Sequence, residues 1–283
     1  MAMNGYDISN YQSKLSIAQV PCDFVIIKAT QGITYYSPSF EKQNTEAFKC
    51  NKLVGVYHYV GANDYKAEVD FFLSKVSKYL GNVLLCIDWE GAMNPKFGDN
   101  NYITNLMDYL YKKTNIKPII YTSKSVCRAS YWTTVPLNYD LWLAQYGSNN
   151  EQKGYNPKPW TDGKGNGKFK DPIIFQYSSK GKLPGYNGYL DLDICYLDKD
   201  SWLEKCKPEK TDNKAYNNAR SIDKPITVNK SYIVTADTLN IRENPDTSSK
   251  DIGDLKNGSI VTVDKIENGF AHFEGWCSTK YLK

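Results

Sequence analysis

Eight short apolar runs, at 5–9, 24–29, 53–60, 83–88, 118–122, 141–146, 173–177 and 190–195, constrain the fold of this chain more than any other feature. Segments compatible with helix, notably 39–51, 64–79 and 101–113, lie between the first six. The second places Val69, Phe72, Leu73, Val76 and Leu80 at steps of three and four, the spacing of a buried helical face. Strands alternating with helices predict a parallel sheet. Several runs are too uniformly apolar to leave one face in water, so eight of them suggest a closed barrel. After the sixth run, residues 147–171 are rich in Gly, Pro, Asn and Lys and lack helical periodicity. An irregular (β/α)5(β)3 barrel of the TIM type, with helices around only its first part, is the α/β fold expected.

Composition changes past Cys206, where large apolar residues become sparse until Ile226, which reads as a linker. Short runs at 232–235, 239–242, 260–265, 270–273 and 275–278 follow, separated by turn sequences such as Lys256-Asn-Gly. The expected organisation is a barrel domain at 1–206, a linker at 207–225 and a small all-β barrel at 226–283.

The run at 83–88 ends in Asp88-Trp-Glu. Side chains at i and i+2 of a strand share a face, so Asp88 and Glu90 project together, with Cα atoms roughly 7 Å apart. Flexible carboxyls at that spacing reach the separations used in glycoside hydrolysis. A strand simply running out into solvent would look the same, and the other strand ends decide between the two.

Active sites of parallel α/β barrels lie at the C-terminal ends of the strands. Collecting those ends gives Asp7 and Ser9, Lys28, Tyr57, His58 and Tyr59, Asp88 and Glu90, Tyr121, then Trp142, Gln145 and Tyr146, Gln176 and Tyr177, and finally Asp191 and Asp193. Acids and aromatics converge on one rim. Carboxyls crowded together resist ionisation, so one of them holds a proton near neutrality, as a general acid requires. A Mg²⁺ or Ca²⁺ site is disfavoured, because closely spaced Asp/Asn loops are absent. His58 lacks a nucleophile-elbow partner and reads as a hydrogen-bonded histidine inside the barrel.

The formal net charge of +4 and the absence of long basic runs argue against a nucleic-acid partner. Twenty-three Tyr and six Trp supply flat faces suited to sugar rings as well as to ordinary cores. Seven cysteines without metal-ligand spacing suggest free thiols and synthesis in a reducing compartment. No secretory leader or membrane span is evident, so synthesis in a reducing cytoplasm without membrane insertion is expected.

Taken together, Asp7-Ile-Ser-Asn-Tyr-Gln, Ile26-Ile-Lys-Ala-Thr-Gln-Gly, Gly55-Val-Tyr-His-Tyr, Asp88-Trp-Glu, Ile120-Tyr-Thr-Ser, Leu141-Trp-Leu-Ala-Gln-Tyr, Phe175-Gln-Tyr-Ser and Leu190-Asp-Leu-Asp resemble glycoside hydrolase family 25. These are the Chalaropsis-type lysozymes common among phage endolysins and bacterial autolysins. The resemblance covers residues 4–200 in order, with Phe175 where the family commonly has Trp.

It implies an N-acetylmuramidase that cuts the β-1,4 bond between N-acetylmuramic acid and N-acetylglucosamine in Gram-positive peptidoglycan, with net retention and without metal or cofactor. Glu90 would be the proton donor. Asp88 would be its ionised partner, either a nucleophile or the group that orients the substrate's N-acetyl arm. Asp7 and Asp191 would complete the acidic ring, with Asp191 preferred to Asp193. Lys28, Tyr57, Tyr59, Tyr121, Trp142, Gln176 and Tyr177 would contact the glycan. The tail, from Thr238-Leu-Asn-Ile-Arg-Glu-Asn-Pro onward, resembles bacterial SH3-like domains, which implies a wall-binding module acting after release from the cytoplasm. A glycosidase of another amino-sugar polymer such as chitin, and a wall-binding protein without catalysis, are the competing readings.

Overall fold

The computed structural model describes residues 2–209, 228–234, 236–246, 248–256, 258–267, 270–273 and 275–278. The chain divides into two compact units, Met1–Glu209 and Lys210–Lys283.

The first unit is built on β1 (Met3–Ile8), β2 (Phe24–Gln31), β3 (Tyr35–Tyr36), β4 (Leu53–Tyr59), β5 (Val83–Asp88), β6 (Ile119–Ser123), β7 (Leu141–Ala144), β8 (Gln152–Lys153), β9 (Ile174–Lys182) and β10 (Leu190–Cys195). Eight of these close a barrel in the order β1-β10-β9-β7-β6-β5-β4-β2, sealed by the β1–β2 pairing, while β3 and β8 are short additions at the edges of β2 and β9. Its helices are α1 (Phe40–Lys49), α2 (Tyr65–Val76), α3 (Asn100–Thr114), the single turns α4 (Lys124–Cys127) and α5 (Val135–Asn138), and α6 (Lys199–Lys205). As expected, helices surround the first part of the barrel only, and none lies between β7 and β10.

The sheet is not wholly parallel. The last barrel strand, β10, runs antiparallel to both β9 and β1. With only a loop between β9 and β10 there is no crossover helix to carry the chain back, so the strand returns in the opposite sense.

Alternation along each strand separates two cores. Phe24, Ile26, Leu53, Tyr57, Leu84 and Cys86 fill the lumen, and Val54, Val56, Val83, Leu85 and Ile87 pack outward under the helices. Both faces are dry, which explains the uninterrupted apolar runs. At the N-terminal end Trp202 of α6 plugs the lumen, its ring 5.0 Å from Phe24. Gly5 is required there, because a Cβ would stand 2.5 Å from the Phe24 ring.

The helices begin where sequence supplies caps. Asp64 accepts from the backbone N–H of Lys66 (2.9 Å) and Ala67 (3.2 Å) to start α2, and Asp99 accepts from Tyr102 (3.0 Å) to start α3. Val69, Phe72 and Val76 form the buried face of α2, as their spacing predicts, and Leu73 and Leu80 are only partly buried.

His58 corrects an expectation. Lying between Tyr57 and Tyr59, which face the lumen, it must point out of the barrel, where α2 buries it completely. Thr30 Oγ1 is 2.8 Å from its Nδ1, and Glu68 Oε2 accepts from its Nε2 at 2.9 Å. Glu68 also accepts from Tyr102 Oη (2.6 Å) and from the N–H of Gly61 (2.8 Å) and Ala62 (3.2 Å). His58 thus ties α2 and α3 to the barrel wall.

The first unit continues to Glu209, three residues past the boundary expected at 206. Glu209 N–H donates to the Asn115 carbonyl (2.7 Å), and Asn115 Nδ2 donates back to the Glu209 carbonyl at 3.0 Å. The rest of the expected linker, 210–225, lies outside the described residues.

In the second unit, β11 (Lys230–Ile233) pairs with β14 (Ile260–Val263). A five-stranded sheet runs β13 (Asp251–Lys256), β12 (Thr238–Arg242), β17 (Trp276–Ser278), β16 (Phe270–His272), β15 (Lys265–Glu267). Val234, Leu239, Val261, Val263 and Ala271 form its core. The run expected as one strand at 260–265 breaks at Asp264, because its halves pair with different sheets. Strand β13 was not expected; its alternation is interrupted by Gly253 and diluted by charge.

Candidate active site

A cleft of about 270 Å³ opens at the C-terminal ends of the parallel strands. Asp7 enters it from β1, Lys28 from β2, Tyr57 and Tyr59 from β4, Asp88 from the last position of β5, and Glu90 from two residues beyond. Tyr121, Trp142, Gln176 and Asp191 follow from β6, β7, β9 and β10. The four expected acids therefore share one rim. Asp88 and Glu90 face the cleft together because the intervening Trp89 turns outward, fully buried, with its indole N–H donating to Tyr131 Oη at 3.1 Å. Strand-like pairing continues past Asp88: Trp89 N–H donates to the Tyr121 carbonyl (2.9 Å), and the Thr122 hydroxyl donates to the Trp89 carbonyl at 2.8 Å. Glu90 is thereby fixed to the same edge as Asp88.

Asp191 reaches the rim by a different route from the others. It lies at the beginning of β10, and the antiparallel sense of that strand brings its beginning to the end where the parallel strands finish. Its register partner is Asp7.

Tyr177 does not join the site. Adjacent residues of β9 point to opposite faces, so with Gln176 in the cleft Tyr177 packs outside the barrel, where its hydroxyl accepts from the N–H of Asn156 at 3.0 Å.

Three further features complete the cleft. Tyr146 lines it, and Tyr11 and Gln12, on the 3₁₀ turn after β1, close one side. Asp193, two residues past Asp191 on the same face, lies fully buried beneath the rim. Its Oδ1 accepts from Trp142 Nε1 at 2.8 Å, and its charge is one of those that raise Asp7. Because i and i+2 of a strand share a face, the Leu190-Asp-Leu-Asp sequence places Asp193 on the side of Asp191, as a further member of the acidic cluster and not a competitor for its place.

Gln176 is the hub. Its Nε2 donates to Asp7 Oδ2 at 2.6 Å, and its Oε1 accepts from Tyr121 Oη at 2.8 Å and from Tyr146 Oη. Two phenols fix the orientation of the amide, and the amide fixes Asp7.

Five carboxyls meet one cation here. Burial, then the neighbouring Asp191 and Asp193, push Asp7 well above the carboxylate range, against the opposing hydrogen bond from Gln176. Burial does the same to Asp193, partly offset by Trp142. Burial, with the Glu90 charge, pushes Asp191 up to about 6. Burial also raises Glu90, while Lys28 and the Tyr121 hydroxyl counteract it.

Asp88 departs from its expected character as the ionised partner. It is 7% exposed, Oδ1 has no hydrogen-bond partner, and burial followed by the Glu90 charge drives it well above its ordinary range despite Lys28. Burial thus disfavours the charged form of both members of the Asp88–Glu90 pair rather than of Glu90 alone. The Lys28 ammonium is lowered by burial and raised by Asp88 and Glu90; it donates to Gln31 Oε1 at 2.8 Å and stands 4.6 Å from the Tyr59 ring centroid. Among the described residues, no group of three His, Cys, Asp or Glu side chains is arranged to hold a metal ion.

Paired carboxyls whose charged forms burial disfavours, walled by tyrosine and tryptophan at a barrel mouth, are the machinery of a glycoside hydrolase. The chain belongs to glycosyl hydrolases family 25, whose family model matches residues 6–186, and the bacterial SH3 domain model matches residues 237–283. The "Autolytic lysozyme" of Clostridium acetobutylicum is 28% identical over 195 residues, which is 68% of this chain and 55% of that protein. "Lysozyme M1" of Streptomyces globisporus is 26% identical over 207 residues, 67% of this chain and 66% of its own length. The chain thus spans between about half and two thirds of these relatives. Among solved structures, the muramidase from Trichobolus zukalii superposes with a TM-score of 0.58 at 25% identity, over 72% of this chain and 98% of that one. Asp191 and Asp193 lie beyond the segment that the family model matches, so their place in the site rests on the pairing of β10 with β1.

Proposed function

We propose that the chain is a muramidase that hydrolyses the β-1,4 bond between N-acetylmuramic acid and N-acetylglucosamine in Gram-positive peptidoglycan, with net retention. The observation that carries the reading is the ring itself, with Asp88 and Glu90 adjacent on one edge and Asp7 and Asp191 paired on the other. Glu90 is the better-placed acid, because it is partly exposed at the lip and within reach of the Tyr121 hydroxyl, whereas Asp88 lies deeper. Glu90 protonates the departing sugar oxygen. Asp88 then faces the cation-like ring, as a nucleophile or by accepting from the substrate's N-acetyl N–H, a donor that would satisfy its bare oxygen and favour its charged form. Glu90, now a base, activates the water that completes the reaction on the same face. Asp7, held by Gln176, and Asp191 contact the sugar and tune the pair.

The biological role proposed is that of a phage endolysin, made in the host cytoplasm and released to the wall. The six described cysteines are free thiols, in keeping with synthesis in a reducing compartment. The C-terminal unit would tether the hydrolase to an insoluble polymer, raising its effective concentration there. Digestion of purified Gram-positive walls, with mass analysis of borohydride-reduced products, tests the reading. Muramic acid at the new reducing ends, released initially as the β-anomer by NMR, is expected. N-acetylglucosamine ends, or intact walls beside cleaved chitin, would contradict it.

A further inference from the structure

A second cavity, of about 450 Å³, adjoins the catalytic cleft on the Glu90 side and shares Glu90, Tyr121 and Tyr146 with it. Its chemistry is different. Where the cleft is lined by four carboxyls and one lysine, this cavity sets Lys124 and Arg128 against Asp162 and the shared Glu90.

The cluster is constructed rather than incidental. Lys124 follows β6 directly and is only 8% exposed, with Nζ donating to Asn166 Oδ1 at 2.7 Å and 3.5 Å from Asp162 Oδ1. Arg128, at the end of α4, donates from Nη2 to Asp162 Oδ2 (2.8 Å) and from Nε to the Gly165 carbonyl at 3.0 Å. These two bonds use two of its five N–H donors, and its side chain remains 34% exposed. Asp162 and Asn166 come from the long loop between β8 and β9, so the loop is pinned where it forms the cavity wall. Gln145, lining the same cavity, keeps a buried amide oxygen with no hydrogen-bond partner. With Glu90 protonated, as the proposed acid requires, one surplus positive charge and one unused acceptor stand beside it.

We propose that Lys124 and Arg128 form a specificity subsite that reads a carboxylate carried by the arm of the amino sugar bound against Glu90. The inference rests on the muramidase reading. It assigns to this cavity the feature that separates muramic acid from N-acetylglucosamine, an ether-linked lactyl arm ending in a carboxyl group. That carboxylate is either the free lactyl group or one further along an attached peptide. Guanidinium and ammonium donors supply charge-assisted hydrogen bonds, which discriminate strongly against a neutral isostere.

The test uses the full chain and three soluble glycan strands: stripped of peptide, with free lactyl carboxylates; stripped, with those carboxyls capped as methylamides; and peptide-bearing. Charge-assisted pairing predicts a KM about tenfold lower for a carboxylate-bearing strand than for the capped one, with similar kcat. Arg128→Gln should erase that ratio by raising KM on the charged strand. Lys124→Met, whose fold is checked by circular dichroism, should do the same, so the result does not depend on one variant. Asp162→Asn, which removes the competing anion, should widen the ratio. Preference for the stripped strand over the capped one places the carboxylate on the lactyl group; preference for the peptide-bearing strand alone places it on the peptide. Equal KM on all three strands would overturn the inference and leave the muramidase reading standing. Cleavage of none would overturn both.

Discussion

Asp191→Asn should stabilise the fold while impairing the enzyme, and its effect should depend on pH. The Asp191 carboxyl is raised from an ordinary 3.8 to about 6 by burial and by the Glu90 charge. Well below pH 4 the group is protonated in both folded and unfolded chains and costs nothing. As pH rises, the unfolded chain releases its proton first, so stability falls by about 1.4 kcal/mol per unit until the folded group also ionises near pH 6. The cost then levels at about 3 kcal/mol, which asparagine, of the same shape but uncharged, does not incur. For a unit of this size that corresponds to roughly 6–12 °C in Tm. Five of the six tryptophans lie in the first unit, so fluorescence-detected urea unfolding of the full chain reports mainly on the barrel. The variant should match the wild type at pH 3.5 and exceed it by about 2–3 kcal/mol at pH 7.5, with turnover reduced at both. A variant less stable than the wild type at pH 7.5, or an equal difference at both pH values, would refute the argument from burial and charge.

Other consequences are more local. Glu68→Ala should destabilise the barrel by about 3–5 kcal/mol in the same unfolding assay, because it leaves His58, Tyr102 and two backbone N–H groups with buried, unanswered donors; a change below about 1 kcal/mol would contradict that accounting. Trp202→Ala, which unplugs the lumen beneath Phe24, should cost a similar 3–5 kcal/mol, and calorimetry would expose a smaller loss. Truncation should be made after Glu209 rather than Cys206, since Glu209 is bound to Asn115. The shortened chain should sediment less with purified walls yet hydrolyse soluble fragments at the full-length rate, and equal wall binding would point to a stabilising role for the C-terminal unit.

Alternation made much of the site legible. The i, i+2 relation fixed Asp88 and Glu90 on one face, and the uniformly apolar runs implied a barrel covered on both sides. The same relation, applied strictly, excludes Tyr177 beside Gln176 and turns His58 away from Tyr57 and Tyr59, because adjacent strand residues face opposite sides. Strand direction was not legible. Nothing in residues 190–195 announces that β10 runs backward, and Asp191 reaches the rim only because it does. The face of Asp193 is legible from Asp191, but its burial depends on the pairing of three strands. The cluster of Lys124, Arg128 and Asp162 joins segments more than thirty residues apart through a loop without periodicity, so no local pattern could have shown it.

The central claim, that Glu90 supplies the proton at this carboxyl ring, is tested most directly by Glu90→Gln, which keeps the shape of the side chain and removes the acid. Turnover on purified walls should fall by about a hundredfold to ten-thousandfold, the usual contribution of a positioned acid, while circular dichroism and urea midpoint stay at or slightly above wild-type values. Unchanged turnover in the folded variant would contradict the assignment.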